Sequence, residues 1–310
     1  MQSHHSSSST GAIVNGCATS RVLAPNRLAS ILGLLYALTS VLGTVAFFAT
    51  FILFLGNLPK VSQPWLVPSA DVGTTTAPAE IALLWNAALL AIFSLQHSIM
   101  ARPFFKRFIS RMVPRPLERA TYVHAANLAG FLFVLLWQPV PIVLWDVKHE
   151  SLETLIWIGF GLGWLLLFAA AFSINILELL GLRQAWHWSR GRRQTPLELK
   201  TNWLYRYFEH PMYVGVVLGF WMTPYMTLGH ASLAAQLTLY IVLAAVYERR
   251  DLRARFGRKY DCWRTGQSRR GTPARVPALT RVIGLELSRH YQPISIQPLP
   301  REMRALLERL

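Results

Sequence analysis

The sequence predicts an all-α, polytopic membrane helix bundle. It has five to six transmembrane spans and closes in a tight C-terminal helical hairpin. Three observations predict it. Charged residues make up 15% of the 310 residues and hydrophobic residues 53%, whereas a soluble domain carries about 25% charge. Several apolar runs reach the roughly 20 residues a helix needs to cross a bilayer core. The basic residues are confined to alternate loops between those runs. Together these exclude an ordinary soluble globule, a disordered chain and a collagen-like fibre.

Residues 1–26 are Ser-rich and polar, and read as a disordered cytoplasmic tail. The first apolar segment covers residues 28–58, too long for the core of a cleavable signal peptide. The next three cover 81–100, 122–144 and 155–180. The fifth and sixth, 212–228 and 231–247, are separated by almost nothing. No Asp, Glu, Lys or Arg occurs from Pro211 to Tyr247, and Pro224 in the connecting turn interrupts a helix. That pattern reads as a hairpin dipping from one face and returning to it. His210 at its entrance and Glu248 at its exit are then expected to meet. Residues 264–310 turn to Arg, Pro, Ser and Gln and read as a divergent basic cytoplasmic tail. Within that tail, 301–310 reads either as a surface amphipathic helix or as a solvated segment.

Cation placement orients the chain. Only Lys60 and Lys148, of the 31 Lys and Arg, fall in the loops after segments one and three. Such asymmetry places both termini and the two basic loops in the cytoplasm. A net charge of +16 is also compatible with nucleic-acid binding, but loops of this kind account for it, so no nucleic-acid partner is expected. Cys17 and Cys262 are the two cysteines, too few for a disulfide framework or a four-cysteine zinc site, and no metal is expected.

Polar groups at membrane depth are informative because each is costly unless paired. They are Asn86, Gln96, His97, His124, Asn127, Asn175, Glu178, His210 and Glu248. Most lie near the cytoplasmic ends of their segments, which suggests a polar pocket open to that side. His97 reads either as a histidine hydrogen-bonded between helices or as a base that positions substrate. His97 and His124 also form a possible bis-histidine haem pair. Glu178 reads as an interfacial anchor or as a pocket residue. Trp137, Trp145, Trp186 and Trp188 are expected in the interfacial aromatic belt.

One stretch carries a family resemblance. Tyr205-Arg206-Tyr207-Phe208-Glu209-His210-Pro211-Met212-Tyr213-Val214-Gly215 resembles the Arg-His-Pro-x-Tyr-x-Gly signature of small membrane methyltransferases. That superfamily includes the isoprenylcysteine carboxyl methyltransferases and NnrU-like proteins. In it a Glu pair and then Phe-Gly-x-x-Tyr follow; here Glu248-Arg249 and Phe256-Gly257-Arg258-Lys259-Tyr260 stand in register. Gln96-His97-Ser98, Val113-Pro114-Arg115-Pro116, Gly181-Leu182-Arg183-Gln184 and Trp221-Met222-Thr223-Pro224 resemble the bacterial methanethiol S-methyltransferases in particular.

The resemblance implies that residues 27–263 form a methyltransferase domain in a bacterial inner membrane. S-adenosyl-L-methionine is implied as methyl donor, held by Tyr205, His210, Pro211, Tyr213, Gly215, Glu248 and Arg250. It implies a small thiol substrate, methanethiol converted to dimethyl sulfide, in a pocket formed by Gln96, His97 and Glu178. His97 or His210 is the expected proton acceptor. A thiolate attacking a sulfonium loses charge in the transition state, so a water-poor pocket suits the reaction. The alternatives are a lipophilic acceptor of the isoprenylcysteine kind and a non-catalytic NnrU-like or haem-binding membrane protein. The chain departs from the superfamily pattern at Glu209, usually Arg, and at Arg249, usually Glu. Opposite changes at residues expected to adjoin predict a swapped ion pair.

Overall fold

The computed structural model describes residues 25–57, 68–73, 75, 77–192 and 203–268. The expectations for residues 1–24 and 269–310, and the positions of Lys60, Arg193 and Lys200, lie outside the described residues. The described chain is mostly helical. It divides into one unit ending at Phe256 and a second beginning at Gly257.

Helix α1 (Arg27–Gly56) begins where the Asn26 side chain accepts from the Ala29 amide at 2.8 Å, a side-chain N-cap. It ends at Asn57 in the left-handed region. Helix α2 (Ala79–Met100) starts after Pro78 and stops ahead of Pro103, the first residue of the short α3 (Pro103–Ile109). A 3-10 turn carrying Pro116 leads into α4 (Glu118–Leu135). Strand β1 (Val143–Asp146) follows, then α5 (Glu150–Ser173). Asn175 and Gly181, both at positive φ, bracket the four-residue α6 (Ile176–Leu179) and set off α7 (Leu182–Ser189). Helix α8 (Pro211–Trp221) has Pro at its first position, where the missing N–H costs nothing. Strand β2 (Tyr225–Thr227) then leads into α9 (Leu228–Phe256). In the second unit, α10 (Arg258–Ser268) brings the Tyr260 and Trp263 rings within 5.6 Å of each other.

Four of these helices, α1, α2, α5 and α9, are long and apolar enough to cross a membrane. Most of their surface is not buried inside the protein, and Leu35, Leu42, Leu84, Ile92, Leu162, Leu165 and Leu239 stand exposed on it. An apolar outer surface of this kind is what lipid requires. Inside, Phe51, Phe54, Phe133, Trp137, Trp164 and Phe220 form an aromatic core. Trp137 belongs to that core, 4% exposed with its Nε1 donating to Ala70 O. The expectation of an interfacial Trp137 is therefore corrected.

The closest helix pair is α5 with α8. A Cβ on Gly215 would come within 2.6 Å of Gly163 O and of the Leu167 amide, and one on Gly163 within 2.8 Å of Gly215 O. Gly215 and Gly219 face Gly163 in the small-residue arrangement that lets membrane helices touch backbone to backbone.

Two features differ from the sequence reading. The third segment was expected to stay helical to residue 144, but α4 ends at Leu135; Pro139 and Pro141 follow, and β1 pairs antiparallel with β2. The described residues are thus helical with one small two-stranded sheet. The fifth segment was expected to reach residue 228, but α8 is only 11 residues, about 16 Å long. Its end stays close to the start of α9, His230 Nε2 lying 3.1 Å from Phe220 O.

The polar residues separate into two ends. At one end Arg102 lies near Asp251, Arg119 donates to Leu179 O, Arg183 pairs with Glu178 and Arg249 with Glu209. At the far end Asp71, wholly buried, accepts from Asn57 Nδ2 at 2.6 Å and from the Thr227 amide at 2.7 Å, and lies 2.8 Å from His230 Nδ1. Burial alone would raise the Asp71 carboxyl, but His230, Asn57 and Thr227 outweigh it and hold the carboxyl below its ordinary value. This network ties the loop before α2 to the start of α9.

Candidate active site

His210 and Glu248 meet, as the sequence leads one to expect. His210 is the residue before α8, and Glu248 lies about five and a half turns along α9 from its start. His210 Nδ1 is 3.3 Å from Glu248 Oε2, and Tyr213 donates its hydroxyl to the same oxygen at 2.8 Å. One helical turn separates His210 from Tyr213, so their rings stack, 5.1 Å apart and 20° from parallel. The His210 side chain is 12% exposed and that of Glu248 44%. The carboxylate is therefore open to a ligand while the imidazole is not open to bulk water. His210 Nε2 is buried and has no hydrogen-bond partner among the described residues. Tyr205, in the 3-10 turn Trp203–Arg206, stands beside this cluster; burial first, then the Glu248 charge, pushes its phenol up to about 12.

The swapped pair is present. Arg249 Nε donates to Glu209 Oε1 at 3.2 Å, and that same oxygen lies 3.8 Å from His210 Nε2. The pair thus bridges the entrance of α8 and the exit of α9 directly against the histidine.

A second polar cluster lies between α2, α4 and α9. Tyr122 Oη is 2.7 Å from His97 Nε2, and the ring of Phe93 stacks on the imidazole. His97 Nδ1 and Gln96 Oε1 are buried without a hydrogen-bond partner among the described residues. Ser98 Oγ and Tyr240 Oη are 3.1 Å apart, and Arg102 lies 3.8 Å from Asp251. These contacts fasten α2 to α9.

Other site candidates are placed elsewhere. Glu178 pairs with Arg183 at 2.7 Å, and Gln96 Nε2 contacts Met100 Sδ at 2.9 Å. Arg250 is exposed, its guanidinium over the Tyr247 ring at 5.7 Å. Pro211 is buried at the start of α8, and the group approaching Gly215 is the α5 backbone. His124 Nε2 lies 3.0 Å from Tyr36 O and Asn127 donates to Ser40 O, so both join α4 to α1. His97 and His124 therefore engage separate partners and do not form a facing pair. Sequence reasoning missed Tyr122, Arg119, Tyr240, Asp71 and His230. The polar residues His230 and Tyr240 inside an apolar segment were the available signal for the last helix.

Apolar helices of membrane-crossing length, with an acid–histidine–tyrosine cluster closing one end, define an integral membrane protein of the helical class. Comparison with known proteins narrows the class. The chain is 38% identical over 236 residues to methanethiol S-methyltransferase 1 of Bradyrhizobium diazoefficiens, which covers 76% of this chain and 80% of that protein. It is 41% identical over 211 residues to the methanethiol S-methyltransferase of Crocosphaera subtropica, covering 68% of this chain and 80% of that one. Nurim of Bos taurus is 33% identical over 204 residues, 63% of this chain and 75% of that protein. No family model and no solved structure matches. The chain belongs to the methanethiol S-methyltransferase family.

Proposed function

We propose that this chain transfers a methyl group from S-adenosylmethionine to methanethiol, releasing dimethyl sulfide and S-adenosylhomocysteine. The observation that carries the reading is the His210–Tyr213–Glu248 cluster, in a chain whose relatives are named for this reaction. The reading places the cluster at the cytoplasmic face of a bacterial inner membrane, because the basic loops lie at the same end. It takes α1, α2, α4 and α5 as four crossings, with α8, the extended 222–227 chain and α9 as a hairpin returning to that face. Both termini are then cytoplasmic.

The donor set suits S-adenosylmethionine. Glu248 offers a half-exposed carboxylate to an ammonium group or to ribose hydroxyls, and the neighbouring Arg249 and Arg250 offer cations to a carboxylate. Tyr205 and Tyr213 add hydroxyl groups, and Pro211 with Gly215 fixes the path of α8. When bound, this co-substrate supplies an electrophilic methyl group on a positively charged sulfur.

The chain's own groups position the acceptor and manage its proton. With Nδ1 toward Glu248, His210 has Nε2 left to take up a proton, and the Glu248 and Glu209 carboxylates on either side stabilise the resulting imidazolium. His97, with Nε2 2.7 Å from Tyr122 Oη, is the second acceptor.

The test is expression in a host lacking the activity, with methanethiol supplied and headspace dimethyl sulfide measured. Wild type is expected to produce it, and His210→Ala to lower the rate by about two orders of magnitude or more. No product above background from wild type overturns the reading.

A further inference from the structure

Only Ala101 and Arg102 separate α2 from α3. Because α2 is long and apolar enough to cross a membrane, α3 lies where that helix leaves the hydrocarbon. The two sides of α3 differ. Phe105 and Ile109 are half-buried and, with Met100, wall a small cavity on the inner side. Phe104 and Phe108 stand four residues apart, hence on one face, and are 56% and 54% exposed. Arg107, three residues on from Phe104, lies beside them and is exposed. The turn after α3 adds exposed Arg111 and Met112, and the 3-10 turn leading into α4 begins with exposed Arg115. Among the described residues, no carboxylate comes within ion-pair distance of Arg107, Arg111 or Arg115. Lys106 differs, because it lines the inner cavity together with Glu118.

We infer that the outer face of α3 binds an anionic glycerophospholipid. The lipid phosphate lies on Arg107, Arg111 and Arg115, and its acyl chains lie beside Phe104 and Phe108. Exposed phenyl rings call for a hydrocarbon neighbour, and guanidiniums without a carboxylate call for an anion, which they grip best as a phosphate. One molecule answers both needs when it carries an anionic head on an apolar body. A soluble anion leaves the rings in water. A zwitterionic lipid brings its own cation against the arginines. Arginine beside phenylalanine is also the composition of a helix that lies in the membrane plane and prefers anionic lipid. The inference uses the membrane assignment of α2 and is independent of the methyl-transfer reading.

The experiment uses the full chain in detergent, titrated with dioleoyl phosphatidylglycerol or dioleoyl phosphatidylcholine, with bound lipid counted by native mass spectrometry. Wild type is expected to retain phosphatidylglycerol about tenfold or more over phosphatidylcholine. Arg107→Gln with Arg111→Gln and Arg115→Gln is expected to bring the two lipids to within about twofold of each other. Phe104→Ser with Phe108→Ser is expected to weaken retention of both lipids and keep the preference. The control removes three cations elsewhere, by Arg255→Gln, Arg258→Gln and Lys259→Gln, and is expected to keep the preference. Thermal unfolding of each variant reports an intact fold. Inorganic phosphate added in excess is expected to leave phosphatidylglycerol bound. Equal retention of the two lipids by wild type overturns the inference. A preference that survives the triple arginine substitution, or that the control abolishes equally, also overturns it. Displacement of the lipid by inorganic phosphate alone overturns the assignment to lipid. Dimethyl sulfide formation tests the proposed function separately, so either can fail without the other.

Discussion

Reversing the Glu209–Arg249 pair tests the closure of α8 onto α9. The two charges approach to 3.2 Å, with the Glu209 side chain 15% exposed and that of Arg249 42%. Coulomb's law at that separation gives about 1.3 kcal/mol in water and about 5 kcal/mol at an effective dielectric of 20. Because the guanidinium is well exposed, screening brings the pair to about 1 kcal/mol. Glu209→Arg alone replaces attraction by repulsion of similar size, and so costs about 2 kcal/mol; Arg249→Glu alone costs the same. Glu209→Arg with Arg249→Glu restores opposite signs across the contact. The assay is a double-mutant cycle on thermal unfolding of the detergent-solubilised protein, repeated on the rate of dimethyl sulfide formation. Both singles are expected to lose stability and activity and the double to recover, because Glu209 also faces His210 Nε2. Losses that add in the double variant to within about 0.5 kcal/mol refute the pairing argument.

Three further outcomes follow from the geometry. Gly215→Ala puts a Cβ 2.6 Å from the α5 backbone where ordinary contact begins at 3.4 Å, so α8 must shift; a loss of about 1–3 kcal/mol in thermal unfolding is expected, with reduced activity. Glu248→Gln keeps the shape of the cluster but removes its charge, and is expected to weaken S-adenosylmethionine binding, read by equilibrium dialysis, about tenfold or more. Asp71→Asn leaves His230 facing an amide inside the protein and is expected to cost about 3–5 kcal/mol by calorimetry. The Asp71 carboxyl is held below its ordinary value in the fold, so its stabilisation is present above the unfolded value and lost as pH falls through the folded one. Wild-type stability is accordingly expected to fall in strong acid more steeply than that of Asp71→Asn.

Much of the architecture was legible because bilayer thickness imposes a length on apolar runs. Helices α1, α2, α5 and α9 follow from that alone. The meeting of His210 and Glu248 followed from a proline-broken, charge-free segment, and the Glu209–Arg249 contact from two departures of opposite sign. The strand pair was not read, although Pro139 and Pro141 had already ended the helical pattern before Val143. Gly215 was read as making room for a ligand, but the local sequence does not say whether a ligand or a helix occupies that space. The Asp71–His230 contact joins residues 159 apart, and the Tyr122–His97 pair joins two helices. Such contacts depend on rotation of whole helices about their axes, which a weak hydrophobic period in buried apolar segments leaves undetermined.

The most direct measurement uses S-adenosylmethionine carrying a deuterated methyl group, the reconstituted protein and unlabelled methanethiol, with the mass of the released dimethyl sulfide determined. The expected result is dimethyl sulfide bearing one deuterated methyl group from wild type, and a much reduced yield from Glu248→Gln. Unlabelled product, no product from wild type, or an undiminished yield from Glu248→Gln would contradict the account.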